Sequence, residues 1–235
     1  MSSARGDILG AVRDALAGAT EFAGRATAEA VGQRLRDHRV NLIPARGRLG
    51  AKARIDLFIR EAEQVNATVA RISGASGIPG EVARYLAKNN LPMALKVAPA
   101  ASEPIIPWTR QTLLTVEAGL ADGSESVGVS RAFAGVAETG TLVLLSDPAN
   151  PTRLNFLPPT HVVVVSAAEI VGDYEEAWAR IRTERMDAAG RFMPPTVNWI
   201  TGPSRTADIE QTLLLGAHGP QRLHIVIADE EIPTP

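Results

Sequence analysis

Three short stretches carry the side chains best suited to chemistry. The first is Ala137-Glu-Thr-Gly-Thr141. It sets the carboxylate of Glu138 beside two hydroxyls, Thr139 and Thr141, at the entry to an apolar run, and Gly140 lets backbone approach a ligand closely or take a positive φ. A carboxylate in that setting can act as a general base or a nucleophile. It can equally pair with Arg131 or Arg153 and do no more than fix a turn. The second stretch runs from Asp147 to Arg153 between two apolar runs, with Asn150 inside it and Pro148 and Pro151 to stiffen it. Loops at the strand ends of an open α/β sheet are where ligands usually sit, although Asp and Asn also cap ordinary turns. The third is Thr201-Gly-Pro-Ser-Arg-Thr-Ala-Asp-Ile-Glu210. It follows a strand-like run, Val197–Ile200, and precedes Gln211–Leu215, which reads as a helix ending at Gly216. The expected unit is a strand, a tight turn at Gly202-Pro203 and a helix N-terminus, whose unpaired N–H groups and positive dipole end hold a carboxylate or phosphate. Ser204, Arg205 and Thr206 would add hydroxyls and a guanidinium. The alternative is that Ser204 or Thr206 only caps the helix and Asp208 only complements its dipole. The four histidines, at 38, 161, 218 and 224, show no metal-ligand spacing. His161, entering a valine run, and His218, in Gly216-Ala-His-Gly219, stand as ligand-binding candidates or as structural residues.

The elements that must hold these stretches alternate between helical and strand-like periodicity. Apolar residues at Ile55, Phe58, Ile59, Ala62 and Val65 predict an amphipathic helix over 51–65. Strands follow at 67–72, 93–97, 111–116, 141–145, 162–165, 197–200 and 223–228, with helices at 80–89 and 170–186. This rhythm predicts βαβ units and a mainly parallel sheet with helices over its faces. The run from Ser126 to Thr141 fits neither period, because Gly128 and Gly135 weaken both readings. Residues 1–49 read as an N-terminal helical appendage: a helix over 3–16 with Ile8, Leu9, Val12, Ala15 and Leu16 on one stripe, an Ala/Gly/Thr-rich linker over 17–27, a polar helix over 28–39 and a loop over 42–50. Residues 50–235 then form the α/β domain.

Composition removes whole classes of function. Net charge is −2 and aromatics make up 4% of the chain, which disfavours nucleic-acid binding. Charge is unevenly spread: residues 1–54 hold ten basic and five acidic side chains, while the rest carries the acidic excess. The absence of cysteine removes disulfides, thiol nucleophiles and thiolate-held zinc or iron–sulfur centres. No cofactor is therefore bound through Cys, and electrons for any redox role would be carried by another chain or a bound group. No run reaches the ~20 apolar residues of a membrane span, and the N-terminus lacks a signal-peptide pattern, so a cytoplasmic location is expected. Phosphate-binding P-loop, G-x-G-x-x-G and G-x-S-x-G motifs are absent.

Gly202-Pro-Ser-Arg-Thr-Ala-Asp-Ile-Glu210 followed by Gly216-Ala-His-Gly-Pro220 resembles the C-terminal signature of the lactate-utilisation protein C family, the LUD-domain proteins. Ala137-Glu-Thr-Gly-Thr-Leu142 and the Leu157-Pro-Pro-Thr-His161 approach to a valine strand are similar to the same family, and the resemblance covers roughly residues 50–229. It implies a three-layer α/β architecture of the CoA-transferase and ribose-phosphate-isomerase-like type. It also implies a part in oxidising L-lactate to pyruvate, beside two iron–sulfur lactate-utilisation proteins (the A- and B-type partners). On that reading the chain is an anionic-ligand-binding subunit, with Thr139, Gly140, Thr141, Asn150, Arg153, His161, Gly202, Ser204, Arg205, Thr206, Asp208 and His218 as ligand-binding candidates and Glu138 as the candidate catalytic base. The alternative is a stand-alone enzyme on a phosphorylated or CoA-linked small molecule, with Glu138 as base or nucleophile.

Overall fold

The computed structural model describes residues 4–207, 213–216 and 218–233. Contacts divide the chain into two compact units, Met1–Leu42 and Ile43–Pro235. The first holds a continuous helix, α1 (Ala4–Asp37). The linker expected over 17–27 is helical instead: its alanines have the strongest helix propensity of any residue, which outweighs the local cost of glycine and threonine.

In the second unit, α2 (Ala51–Gln64), β1 (Thr68–Ile72), α3 (Ile78–Lys88), β2 (Ala94–Val97), β3 (Thr115–Ala118) and β4 (Val127–Arg131) come first. Next are β5 (Ala134–Val136), β6 (Thr141–Leu145), β7 (Thr160–Ser166), β8 (Ile170–Val171) and α4 (Tyr174–Glu184). The series ends with β9 (Val197–Ile200), β10 (Arg205–Ala207), β11 (Leu213–Leu215) and β12 (Arg222–Ala228). Six strands form the central sheet in the order β1-β12-β7-β4-β2-β3. Every neighbouring pair in it is parallel. A second sheet, ordered β8-β5-β6-β9, pairs β6 antiparallel to β5 and β9.

Side-chain alternation along buried strands sorts the layers. Val162, Val164 and Val226 meet Ile78, Val82 and Leu86 of α3 on one face of the central sheet. Val163, Val165, Ile225 and Ile227 point the other way, onto Leu57, Phe58 and Ala62 of α2 and onto Leu142 and Leu144 of β6. The intervening β6 residues, Val143 and Leu145, face outward and pack with Ala177 and Ile181 of α4. β6 thus has no solvent face, which accounts for its unbroken apolar sequence. The expected three-layer, mainly parallel α/β architecture is present.

Three expectations need correction in detail. The helix foreseen over 170–186 is confined to Tyr174–Glu184, because Ile170 and Val171 pair with β5 as strand β8 and Asp173 caps the helix after them. The strand foreseen over 111–116 begins at Thr115, because the chain first makes a short helical turn at Trp108–Arg110. Trp108 is buried there, donating from Nε1 to the Ala101 carbonyl at 2.7 Å. The helix foreseen over 211–215 is also absent: Leu213–Leu215 is a strand paired antiparallel with Arg205–Ala207. An apolar run this short suits either period, and the neighbouring β10 supplies hydrogen-bond partners that a single helical turn would leave unmet. Residues 208–212 lie outside the described residues.

Candidate functional site

Parallel strands β2, β4 and β7 end together, and the segments leaving them open a crevice of about 330 Å³. Ala100 follows β2, Arg131 closes β4, Phe133 leads into β5, and Glu169 follows β7. Leu145, Asp147 and Asn150 come from the end of β6 and its loop, and Arg180, Glu184 and Arg185 from α4 and its C-cap. The carboxyl edge of a parallel sheet is the usual ligand position in α/β folds.

The three guanidinium groups are held very differently. Arg131 is buried; Nη2 donates to Glu169 Oε1 at 2.9 Å and to the Ile232 carbonyl at 2.7 Å, and Nη1 donates to the Pro233 carbonyl. Glu169 is equally engaged, its Oε2 accepting from the Ser166 N–H at 2.8 Å. Arg180 donates to both oxygens of Glu184, one turn on, at 2.8 and 3.3 Å. Arg185 only approaches Asp147 Oδ2, at 3.6 Å. Both α4 arginines lie near the Phe133 ring, 5.0 and 5.6 Å from its centroid. Asp147 is held by its other oxygen, which accepts from the N–H groups of Ala149 and Asn150 at 2.8 Å each and from Asn150 Nδ2 at 3.1 Å.

Glu138 lies at the other end of β5, in the turn to β6. It is 7% exposed, and Oε2 has no hydrogen-bond partner among the described residues. Burial raises its carboxyl above the usual carboxylate range; Arg46 pulls it back down and Asp173 adds to the rise. Arg131 is not its partner, contrary to one expectation, because Arg131 is committed to Glu169 across the sheet. The turn needs glycine at 140: φ is +64°, and a Cβ there would lie 2.3 Å from the Ala62 nitrogen of α2. Thr139, Thr141, Tyr174 and Thr201 join beside it in a cluster of hydroxyls, with Oγ1–Oγ1 and Oγ1–OH distances of 2.7 to 3.0 Å. Four hydroxyl hydrogens suffice for those four contacts, so the cluster is internally satisfied.

The remaining candidates lie elsewhere. His161 is fully enclosed in β7; Nε2 meets Ser130 Oγ at 3.0 Å, and Ser130 donates on to Asn155 Oδ1. Burial pushes its imidazole down to about 3, so it is neutral and part of the core. Gly202 (φ +74°) packs against Val65, whose carbonyl would lie 2.4 Å from a Cβ. Ser204 donates its N–H to the Pro220 carbonyl, and its own carbonyl accepts from the Gly216 N–H. Arg153, Arg205 and His218 are exposed. The side chain of Thr206 and the whole of Asp208 lie outside the described residues. With β11 in place of a helix, Ser204 precedes β10 and Arg205 opens it, and the dipole argument for an anion there fails. Among the candidates, then, Glu138, Thr139, Gly140 and Thr141 share one turn, Asn150 alone lines the crevice, and Gly202 follows the Thr201 that joins the hydroxyl cluster. The residues that sequence reasoning missed, Phe133, Glu169, Arg180, Glu184 and Arg185, come from three segments with no common motif. Among the described residues no three His, Asp or Glu side chains are placed to hold a metal, and no helix is long and apolar enough to cross a membrane.

This architecture defines an α/β domain with a charged crevice at the carboxyl edge of a parallel sheet. The model of the LUD domain matches residues 55–228, and the chain belongs to that family. It is similar to an uncharacterized protein of Neisseria meningitidis serogroup B, 35% identical over 149 residues that make up 63% of this chain and 55% of the other. It is 38% identical to lactate utilization protein C of Geobacillus kaustophilus over 111 residues, 46% of this chain and 45% of that one. With lactate utilization protein C 1 of Bacillus mycoides it shares 32% over 121 residues, covering 48% and 51% of the two chains. The chain spans about half the length of the curated relatives it matches. The crystal structure of a DUF162 family protein from Deinococcus radiodurans superposes with a TM-score of 0.55 at 22% identity, covering 77% of this chain and 99% of that one, and shares the fold.

Proposed function

We propose that this chain serves in L-lactate utilisation, in the cytoplasm, as the subunit that binds a small anionic ligand beside iron–sulfur partner proteins. The observation that carries the reading is the similarity to proteins named lactate utilization protein C, across two genera and at 32–38% identity. The crevice supports it: beside an apolar wall, Arg185 is only loosely paired with Asp147, at 3.6 Å, and leaves a guanidinium for a small organic anion. A chain without cysteine offers no thiolate to a cluster, so the electrons would pass through partners. The test is lactate-dependent dye reduction in extracts of a host lacking this chain, with purified protein added back. Restoration is the expected result; full activity without any added chain would refute the role.

A second reading, a stand-alone enzyme on a phosphorylated or CoA-linked small molecule, is favoured by one observation. Glu138 is a buried carboxyl with an oxygen unpartnered among the described residues and a raised pKa, as a general base requires. On that reading Glu138→Gln abolishes turnover while thermal stability is kept, since the amide is isosteric. A variant as active as the wild type would remove Glu138 from the chemistry.

A further inference from the structure

We propose that the carboxyl-edge crevice is a monocarboxylate site in which Arg185 exchanges Asp147 for the carboxylate of a short aliphatic ligand. The inference rests on the ligand-binding reading above and adds the ligand class and the residue that takes it. Three observations converge. Arg131 and Arg180 each make three hydrogen bonds to carboxylates and carbonyls, whereas Arg185 meets Asp147 only at 3.6 Å. That pair is partly solvated, with side chains 41% and 27% exposed, so parting it costs little. Asp147 does not depend on Arg185 for its position, since its Oδ1 is fastened by Ala149 and Asn150.

The balance of charge selects the ligand. Arg131, Arg180 and Arg185 are matched by Glu169, Glu184 and Asp147 around the same cavity. The wall is therefore neutral, so a monoanion on Arg185 leaves a single net negative charge in the cavity, whereas a dianion would leave two beside the same three carboxylates. Phe133, Ala100, Ala132 and Leu145 complete the wall with apolar surface for an aliphatic tail. The cavity, about 330 Å³, lies at the small end of ligand sites and suits a molecule of few carbons.

The experiment is a ligand-observed NMR titration of the full chain with sodium L-lactate, sodium 2-hydroxybutyrate and inorganic phosphate. Wild type is expected to bind both carboxylates, with phosphate failing to displace them. Arg185→Gln should weaken carboxylate binding about tenfold or more, the loss of one charge-assisted contact. Asp147→Asn keeps the Oδ1 acceptor but frees the guanidinium, and should tighten binding several-fold; a merely structural role for the pair predicts no gain. Unfolding midpoints of both variants within a few degrees of wild type confirm that they fold. Carboxylate binding that is absent, unaltered in both variants, or matched by phosphate overturns the proposal. If wild type restores lactate oxidation but binds no carboxylate, this inference fails and the proposed role stands; binding without restoration has the opposite meaning.

Discussion

Acidification from pH 7 to pH 5 tests the two buried histidines. His161 is wholly enclosed and held down at about 3 by burial. His224 is 2% exposed, stacked 4.0 Å from the Tyr85 ring, and held down at about 4, burial outweighing the pull of Glu81. Both folded values lie below the ordinary histidine value of about 6.5, so the unfolded chain takes up protons that the folded chain refuses. Their stabilisation is complete above that ordinary value and drains away as pH falls toward 4 for His224 and 3 for His161. At pH 5 both folded imidazoles are neutral and both unfolded ones almost fully charged. The loss then depends only on the unfolded value: about 2 kcal/mol per histidine relative to pH 7, and about 4 kcal/mol for the two. Glu138 acts with the opposite sign, since a raised carboxyl contributes more as pH falls. The assay is urea unfolding at pH 7, 6 and 5 for wild type, His161→Gln, His224→Gln and the double variant. Glutamine at 161 keeps a donor for Ser130. Each single variant should lose about half of the wild-type pH dependence, and the double variant most of it. A double variant with the wild-type dependence would refute the assignment.

Two further outcomes follow from packing and charge. Gly140→Ala should destabilise by more than the ~1–2 kcal/mol of a left-handed residue alone, because the new Cβ meets the backbone of α2 at Glu61 and Ala62; a loss under about 1 kcal/mol by thermal unfolding would show that the turn swings clear. Glu169→Gln should cost about 3 kcal/mol by leaving Arg131 buried without its counter-charge, and an Arg131→Met, Glu169→Leu double variant should recover much of it; a double variant no better than the single one would refute that cause.

Most of the fold was legible because buried parallel strands and amphipathic helices write their periods plainly. Val162–Val165 and Thr141–Leu145 are enclosed on both faces, and their apolar runs say so. The run from 126 to 141 was opaque for a physical reason. Gly128 and Gly135 sit inside β4 and β5 where a Cβ would lie 2.8 Å from Pro158 Cγ and from Phe58 Cε2. Glycine there serves neighbours distant in sequence, and no local period reveals them. Leu213–Leu215 shows the complementary limit: three apolar residues fit a helix or a strand, and the partner strand decided. Among the candidates, Glu138, away from the crevice, and Asn150, on its wall, stood out through nearby glycine and proline. Arg180 and Arg185 carried no such mark, since on the sequence they resemble any solvated helix charge; only the fold brings them to Phe133.

The place of β12 has a consequence for how the chain reaches this state. The final strand is inserted between β1 and β7, with Thr68 opposite His224, a pairing across about 150 residues. Until β12 arrives, β1 has no neighbour in the central sheet and β7 presents a bare, valine-lined edge. During synthesis the first strand therefore waits for the last, and a chain halted before residue 222 holds an open sheet of the kind that recruits other strands. Pairing strands so distant in sequence raises the contact order, the feature that slows the folding of parallel sheets.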